Sequence, residues 1–144
     1  MTTAVRYYSR SGNTEAVAIP IAQAVHTDAL PISDPLPTGR VDLLFLGGAM
    51  YAFHLAKPLR EFIDGLSPES IGAVAVFSTA GNPGGASRQI AKQCEKRGLR
   101  VLPNEFHCTG GASRKPETAD AAAAFAKRAA ASLGNAGAGG PYPN

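Results

Sequence analysis

Ser9, Arg10, Ser11, Gly12, Asn13 and Thr14 follow directly on an apolar run from Thr3 to Tyr8, and the Ala, Val and Ile residues after them carry helical spacing. A strand, a hydroxyl-rich turn and a helix start gather backbone N–H groups, Ser and Thr hydroxyls and the positive end of a helix dipole in one small volume. That combination suits a phosphate dianion, and Arg10 adds a formal charge. Ser, Asn and Thr are also the residues that cap helices, so a plain loop ending in an N-cap accounts for the same stretch. No Gly-Lys-Ser/Thr follows a glycine loop and no Gly-x-Gly-x-x-Gly appears here, which sets aside a nucleotide P-loop and a dinucleotide fingerprint. Tyr7 and Tyr8 stand where a receiver domain would need acidic residues, and the turn holds no Cys to act as a phosphatase nucleophile.

The elements that position this turn can be read in chain order. Val17, Ile21 and Val25 share one helix face, but Pro20 removes a donor to Ala16 and predicts a bent or broken first helix, at a cost of about 3 kcal/mol. Asp28 to Thr38 carries Pro31, Pro35 and Pro37, so any second strand is brief and at a sheet edge. Val41 to Leu46 is a near-continuous apolar run ending in Gly47-Gly48, the pattern of a strand buried on both faces. An apolar, aromatic loop from Ala49 to His54 follows. Pro58 at a first helical position then precedes Leu59, Phe62, Ile63 and Leu66, an amphipathic helix stopped by Ser67-Pro68. Ala73 to Phe77 is a further buried strand that opens into Ser78-Thr79-Ala80-Gly81-Asn82-Pro83-Gly84-Gly85. A helix with Ile90, Ala91 and Cys94 inward ends near Gly98. Leu99 to His107 predicts a fifth strand, weakened by Pro103, and an Ala-rich helix runs from Pro116 to about Ser132 with Phe125 as its anchor.

The whole chain of 144 residues fits one domain with one core, spanning 1–133, ahead of a Gly/Pro tail (134–144) expected to be disordered. A net charge of only +3, with Lys and Arg scattered, argues against nucleic-acid binding, though it would favour an acidic protein partner. Cys94 and Cys108 lack metal-type spacing and read as free thiols in a reducing cytoplasm. No leader is apparent, and no apolar run approaches the roughly 20 residues of a membrane helix.

Strands alternating with helices predict a doubly wound parallel α/β sheet with helices on both faces. In such a sheet ligands sit beyond the carboxyl ends of the strands, so the loops Ser9–Thr14, Ala49–Ala56 and Thr79–Gly85 should converge. One loop suits phosphate, one is aromatic and one is glycine-rich, where backbone approaches a flat ligand closely. A planar ring with a phosphorylated tail satisfies all three, and FMN is such a molecule. Tyr51 or Phe53 could stack on the ring; core packing is the competing account for Met50, Tyr51 and Phe53.

Taken together these motifs resemble the flavodoxin family, and its short-chain members in particular. Ser9-x-Ser11-Gly12-Asn13-Thr14 is similar to the family's phosphate loop, Leu46 to Tyr51 with Leu59 to Ile63 to its second flavin loop and helix, Phe77 to Gly81 to its third, and Phe106-His107-Cys108-x-Gly110 to the close of its last strand. The resemblance implies a flavodoxin-like five-stranded sheet of order 2-1-3-4-5 and noncovalent FMN. It implies phosphate binding by Ser9, Arg10, Ser11, Gly12, Asn13 and Thr14, ring contacts from Ala49, Met50, Tyr51 and Phe53, and polar-edge contacts from Thr79, Ala80, Gly81 and Asn82. The function implied is low-potential electron transfer between redox partner proteins. The third loop holds no Tyr or Trp, so a bare flavin face could instead serve an FMN-dependent oxidoreductase that reduces a small acceptor such as a quinone, with His54 a candidate proton donor. A cofactor-free interaction module of the same fold is the third reading.

Overall fold

The structure is a computed structural model that describes residues 1–51, 54–79 and 85–138. Its central sheet has five parallel strands in the order β2-β1-β3-β6-β7. They are β1 (Thr3–Tyr7), β2 (Ala29–Pro31), β3 (Val41–Gly48), β6 (Ile71–Thr79) and β7 (Phe106–Cys108), while β4 (Met50–Tyr51) and β5 (His54–Leu55) form a small antiparallel hairpin between them. With the hairpin left out of the numbering, the order is the expected 2-1-3-4-5. The helices are α1 (Asn13–Ala24), α2 (Lys57–Asp64), α3 (Gly85–Lys96) and α4 (Pro116–Ala138), with a short 3-10 turn at Gly110–Ala112.

Alternation along the strands builds two cores. Leu43 and Phe45 of β3 point to one face with Val5, Phe77, Ile21 of α1 and Phe125 of α4. Leu44 and Leu46 point to the other, with Val74, Val76, Leu59 and Ile63 of α2 and Ile90 and Cys94 of α3. Every residue of β3 from Leu43 to Gly48 is buried, as a central parallel strand covered on both sides requires.

Several elements depart from the sequence expectation. Helix α1 runs without a break through Pro20. Val17, Ala18, Ile21 and Ala22 are all buried around it, so packing outweighs the lost donor. Helix α2 ends at Asp64 with Gly65 as its cap, short of Ser67-Pro68. The fifth strand is split: Val101 makes an isolated bridge to Val74, and only Phe106–Cys108 pairs continuously with β6. Pro103 lies in the gap, and with Pro31 in β2 it puts a proline at or beside each margin of the sheet. Helix α4 continues past Ser132 to Ala138, so the first residues of the expected tail are helical; 139–144 lie outside the described residues.

The connection from β2 to β3 carries no helix. Arg6, buried at 4% exposure in β1, fastens it instead by donating to the carbonyls of Asp34 (3.3 Å) and Pro35, as well as to that of Val5 (3.0 Å). Burial pushes the Arg6 pKa down while Asp34 opposes the shift. Without a covering helix, a groove of about 510 Å³ opens between Pro31, Ile32 and the α2 residues Pro58, Glu61 and Phe62.

Cys94 is fully buried and Cys108 half-buried, both as free thiols. Burial pushes the Cys94 thiol up to about 12 and raises Cys108 as well, which suppresses the reactive thiolate at lower pH. Cys94 is therefore expected to react with a disulfide reagent only as fast as the protein unfolds, and the slow phase should vanish in Cys94→Ala. A burst of one equivalent that persists in Cys108→Ala would contradict this packing.

Candidate functional site

The first loop begins where β1 ends. Gly12 adopts φ +88°, a left-handed conformation open to glycine at little cost, and this turns the chain into α1. The Ser9 hydroxyl accepts the Gly12 N–H at 3.0 Å, closing the turn. Gly12 accepts the Ala16 N–H at 3.0 Å, while the N–H groups of Asn13, Thr14 and Glu15 have no acceptor among the described residues. Those donors sit at the positive end of the helix dipole and fit the demands of a phosphate.

Two bridges tie this loop to the others. Thr14 and Thr79, 1% and 3% exposed, pair through their hydroxyls at 2.7 Å, which joins the first loop to the end of β6. Arg10 donates its backbone N–H to the Tyr51 hydroxyl at 3.3 Å and lays its guanidinium 3.9 Å from the centre of the Tyr51 ring. Tyr8 meets Tyr51 edge-on, with ring centres 6.2 Å apart, and its hydroxyl accepts from Arg10 Nε at 3.4 Å. Thus the first loop touches both the β4–β5 hairpin and the end of β6. The Ser78 and Ser87 hydroxyls pair at 2.6 Å and hold β6 to α3.

The expected residues fare differently. Ser11 and Arg10 are exposed, while Ser9, Asn13, Ala49, Met50 and Tyr51 are partly covered. Thr14 and Thr79 are buried in their mutual bond, so their hydroxyls join loops and do not line an open surface. One face of Tyr51 is already taken by Arg10. Phe53, Ala80, Gly81 and Asn82 lie outside the described residues. His54 is exposed on the hairpin, opposite Tyr51.

A fourth segment, which the sequence pattern did not point to, joins the first loop from the far side. The Ser113 hydroxyl donates to the Gly110 carbonyl at 2.7 Å and lies 3.2 Å from the Asn13 side-chain oxygen. Arg114 Nη2 donates to the Ser11 carbonyl at 3.2 Å. The groove between β2 and α2 meets this region along Tyr8 and Ser9, and its other walls come from Tyr7, from Pro31 to Ser33 at the edge of the sheet and from Pro58, Glu61 and Phe62 of α2. No helix among the described residues is long and apolar enough to cross a membrane.

Comparison with solved structures places this architecture. A flavodoxin from the domain Archaea superposes with a TM-score of 0.77 at 18% identity, over 92% of this chain and 99% of that one. Oxidised Flavodoxin 2 from Bacillus cereus gives 0.69 at 16% identity, over 88% of this chain and 95% of that one. A flavoprotein from Lactobacillus acidophilus NCFM, solved in complex with FMN, gives 0.59 at 18% identity, over 77% of this chain and 94% of that one. No protein-family model matches the sequence, and no curated protein matches it. The strand order and these superpositions define the chain as a protein of the flavodoxin-like fold.

Proposed function

We propose that the chain binds FMN noncovalently at the carboxyl ends of β1, β3 and β6 and carries electrons between redox partner proteins. The observation that carries this reading is the linkage of the first loop to the end of β6 and to the β4–β5 hairpin, through the Thr14–Thr79 hydroxyl pair and the Arg10–Tyr51 stack. The flavodoxin-like fold and the FMN bound by the Lactobacillus acidophilus flavoprotein support it.

In this reading the N–H groups at the start of α1 and the Ser11 hydroxyl hold the phosphate, with Arg10 supplying charge. Met50, Tyr51 and Phe53 flank the ring, and the backbone from Thr79 to Asn82 meets its polar edge. FMN, once bound, supplies the one- and two-electron chemistry, while the chain orients it and tunes its electrostatics. The net charge of +3 favours acidic surfaces on the partners, and a single domain in a reducing cytoplasm is the setting we infer.

An FMN titration of the cofactor-free protein, followed by loss of flavin fluorescence, tests the reading. Tight binding is expected in the wild type, and Ser11→Ala should weaken it by about 1 kcal/mol, the worth of one hydrogen bond. Absence of binding at high micromolar FMN would remove the electron-carrier function.

A further inference from the structure

We propose that Arg114 is a second cationic ligand of the phosphate site and makes the site prefer a phosphorylated flavin to an unphosphorylated one. The inference rests on the flavin reading above and adds a residue that lies 103 positions from the loop it serves.

Arg114 reaches the first loop from the segment between β7 and α4. Its Nη2 donates to the Ser11 carbonyl, and it lies 3.0 Å from where a Cβ on Gly12 would stand. The guanidinium therefore lies against Ser11 and Gly12, the two residues of the loop that immediately precede α1. Its side chain is exposed, and among the described residues no carboxylate pairs with it. One of its five N–H groups is used by Ser11, which leaves donors in a planar fork suited to phosphate oxygens.

The position of Arg114 is not left to a floppy loop. Thr109 caps the 3-10 turn by accepting the Ala112 N–H at 3.2 Å. Ser113, only 3% exposed, bonds to Gly110 and approaches Asn13 of the first loop. Gly110 packs so closely that a Cβ there would lie 2.7 Å from the Asn13 amide nitrogen. The neighbour of Arg114 is thus fastened to the first loop itself, which holds the backbone at Arg114 beside it. Arg10, by contrast, has its guanidinium stacked on Tyr51 and a second partner in Tyr8. Of the two arginines, Arg114 is the one free of aromatic partners among the described residues.

The test compares FMN with riboflavin, which shares the ring and lacks the phosphate. Wild type, Arg114→Ala, Arg114→Gln and Arg114→Lys are titrated with each flavin, at two salt concentrations, with thermal unfolding recorded alongside. Arg114→Ala and Arg114→Gln should each lose roughly 10-fold or more in FMN affinity with riboflavin affinity unchanged, the scale of one charged hydrogen bond. Arg114→Lys should fall between, and the salt dependence of FMN binding should flatten in the neutral variants. Equal losses for both flavins would assign Arg114 a purely structural role and overturn the proposal, as would no loss for either. A wild type that binds riboflavin and FMN equally well overturns the phosphate preference while leaving the flavin reading standing. One that binds neither removes the flavin reading and this proposal with it.

Discussion

Truncation of Phe125 to alanine is expected to lower the free energy of unfolding by about 3–5 kcal/mol, seen as a drop in denaturant midpoint at unchanged slope. Phe125 is 1% exposed, with its ring 5.8 Å from Phe45 and 5.9 Å from Phe106. Among the described residues of α4, the others that are fully covered are Ala122, Ala126 and Ala129, whose methyl groups bury little. The Phe125 ring meets β3 at Phe45 and β7 at Phe106, beside the alanines and the partly buried Leu133 of the same helix, and its loss leaves a void that alanines cannot collapse to fill. Against a total stability of about 5–15 kcal/mol, the variant should sit near the unfolding threshold. Phe125→Leu, which keeps most of the volume, should lose about 1 kcal/mol. A loss below about 1 kcal/mol in Phe125→Ala would mean that the alanine face alone holds α4.

The second large effect is expected at Gly47. It pairs in register with Phe77, and a Cβ on Gly47 would lie 2.1 Å from a carbon of the Phe77 ring. Phe77 is fully buried among α1, α4 and the sheet, so the ring has nowhere to swing. Gly47→Ala should destabilise by about 3 kcal/mol, the upper end of overpacking costs. At Gly48 the obstruction is a single terminal methyl of Leu59, 2.6 Å away, where at Gly47 it is three carbons of a rigid ring, so Gly48→Ala should cost less, about 1 kcal/mol. Phe77→Leu should rescue much of the Gly47→Ala loss in a double-mutant cycle. Equal losses at the two glycines, or no coupling to Phe77, would show that the aromatic ring is not the constraint.

What was legible in the sequence is what local periodicity encodes. The buried character of β3 and β6 and the amphipathic α2 follow from apolar runs and the spacing of turn residues, because burial on a parallel sheet leaves that imprint along a single strand, whereas the strand order came from the resemblance to flavodoxins and not from periodicity. Pro20 misled because local propensity ignores the packing of Val17, Ala18, Ile21 and Ala22, which holds α1 together. The β4–β5 hairpin read only as an aromatic loop, since two paired residues per strand are too few for a periodic pattern. Within the site, the first loop stood out because its residue types sit side by side. Arg114 and Ser113 did not, because their role comes from tertiary contact with Ser11 and Asn13, and nothing near them in the chain marks it. Thr14 was read from the sequence as a phosphate-loop residue, and its burial against Thr79 belongs to the folded loops alone.

The prolines at the sheet margins bear on how copies of this protein meet one another. An open parallel sheet ends in two rows of backbone donors and acceptors, and a bare row is a template for strand addition from a neighbour. Here β2 is three residues long and ends in Pro31, which offers no N–H, while the β7 margin is interrupted beside Pro103 and pairs continuously over only Phe106–Cys108. A second chain would find too few consecutive backbone groups on either side to zip against. The same prolines that shorten the outer strands thus protect the folded protein from edge-to-edge self-association at high concentration.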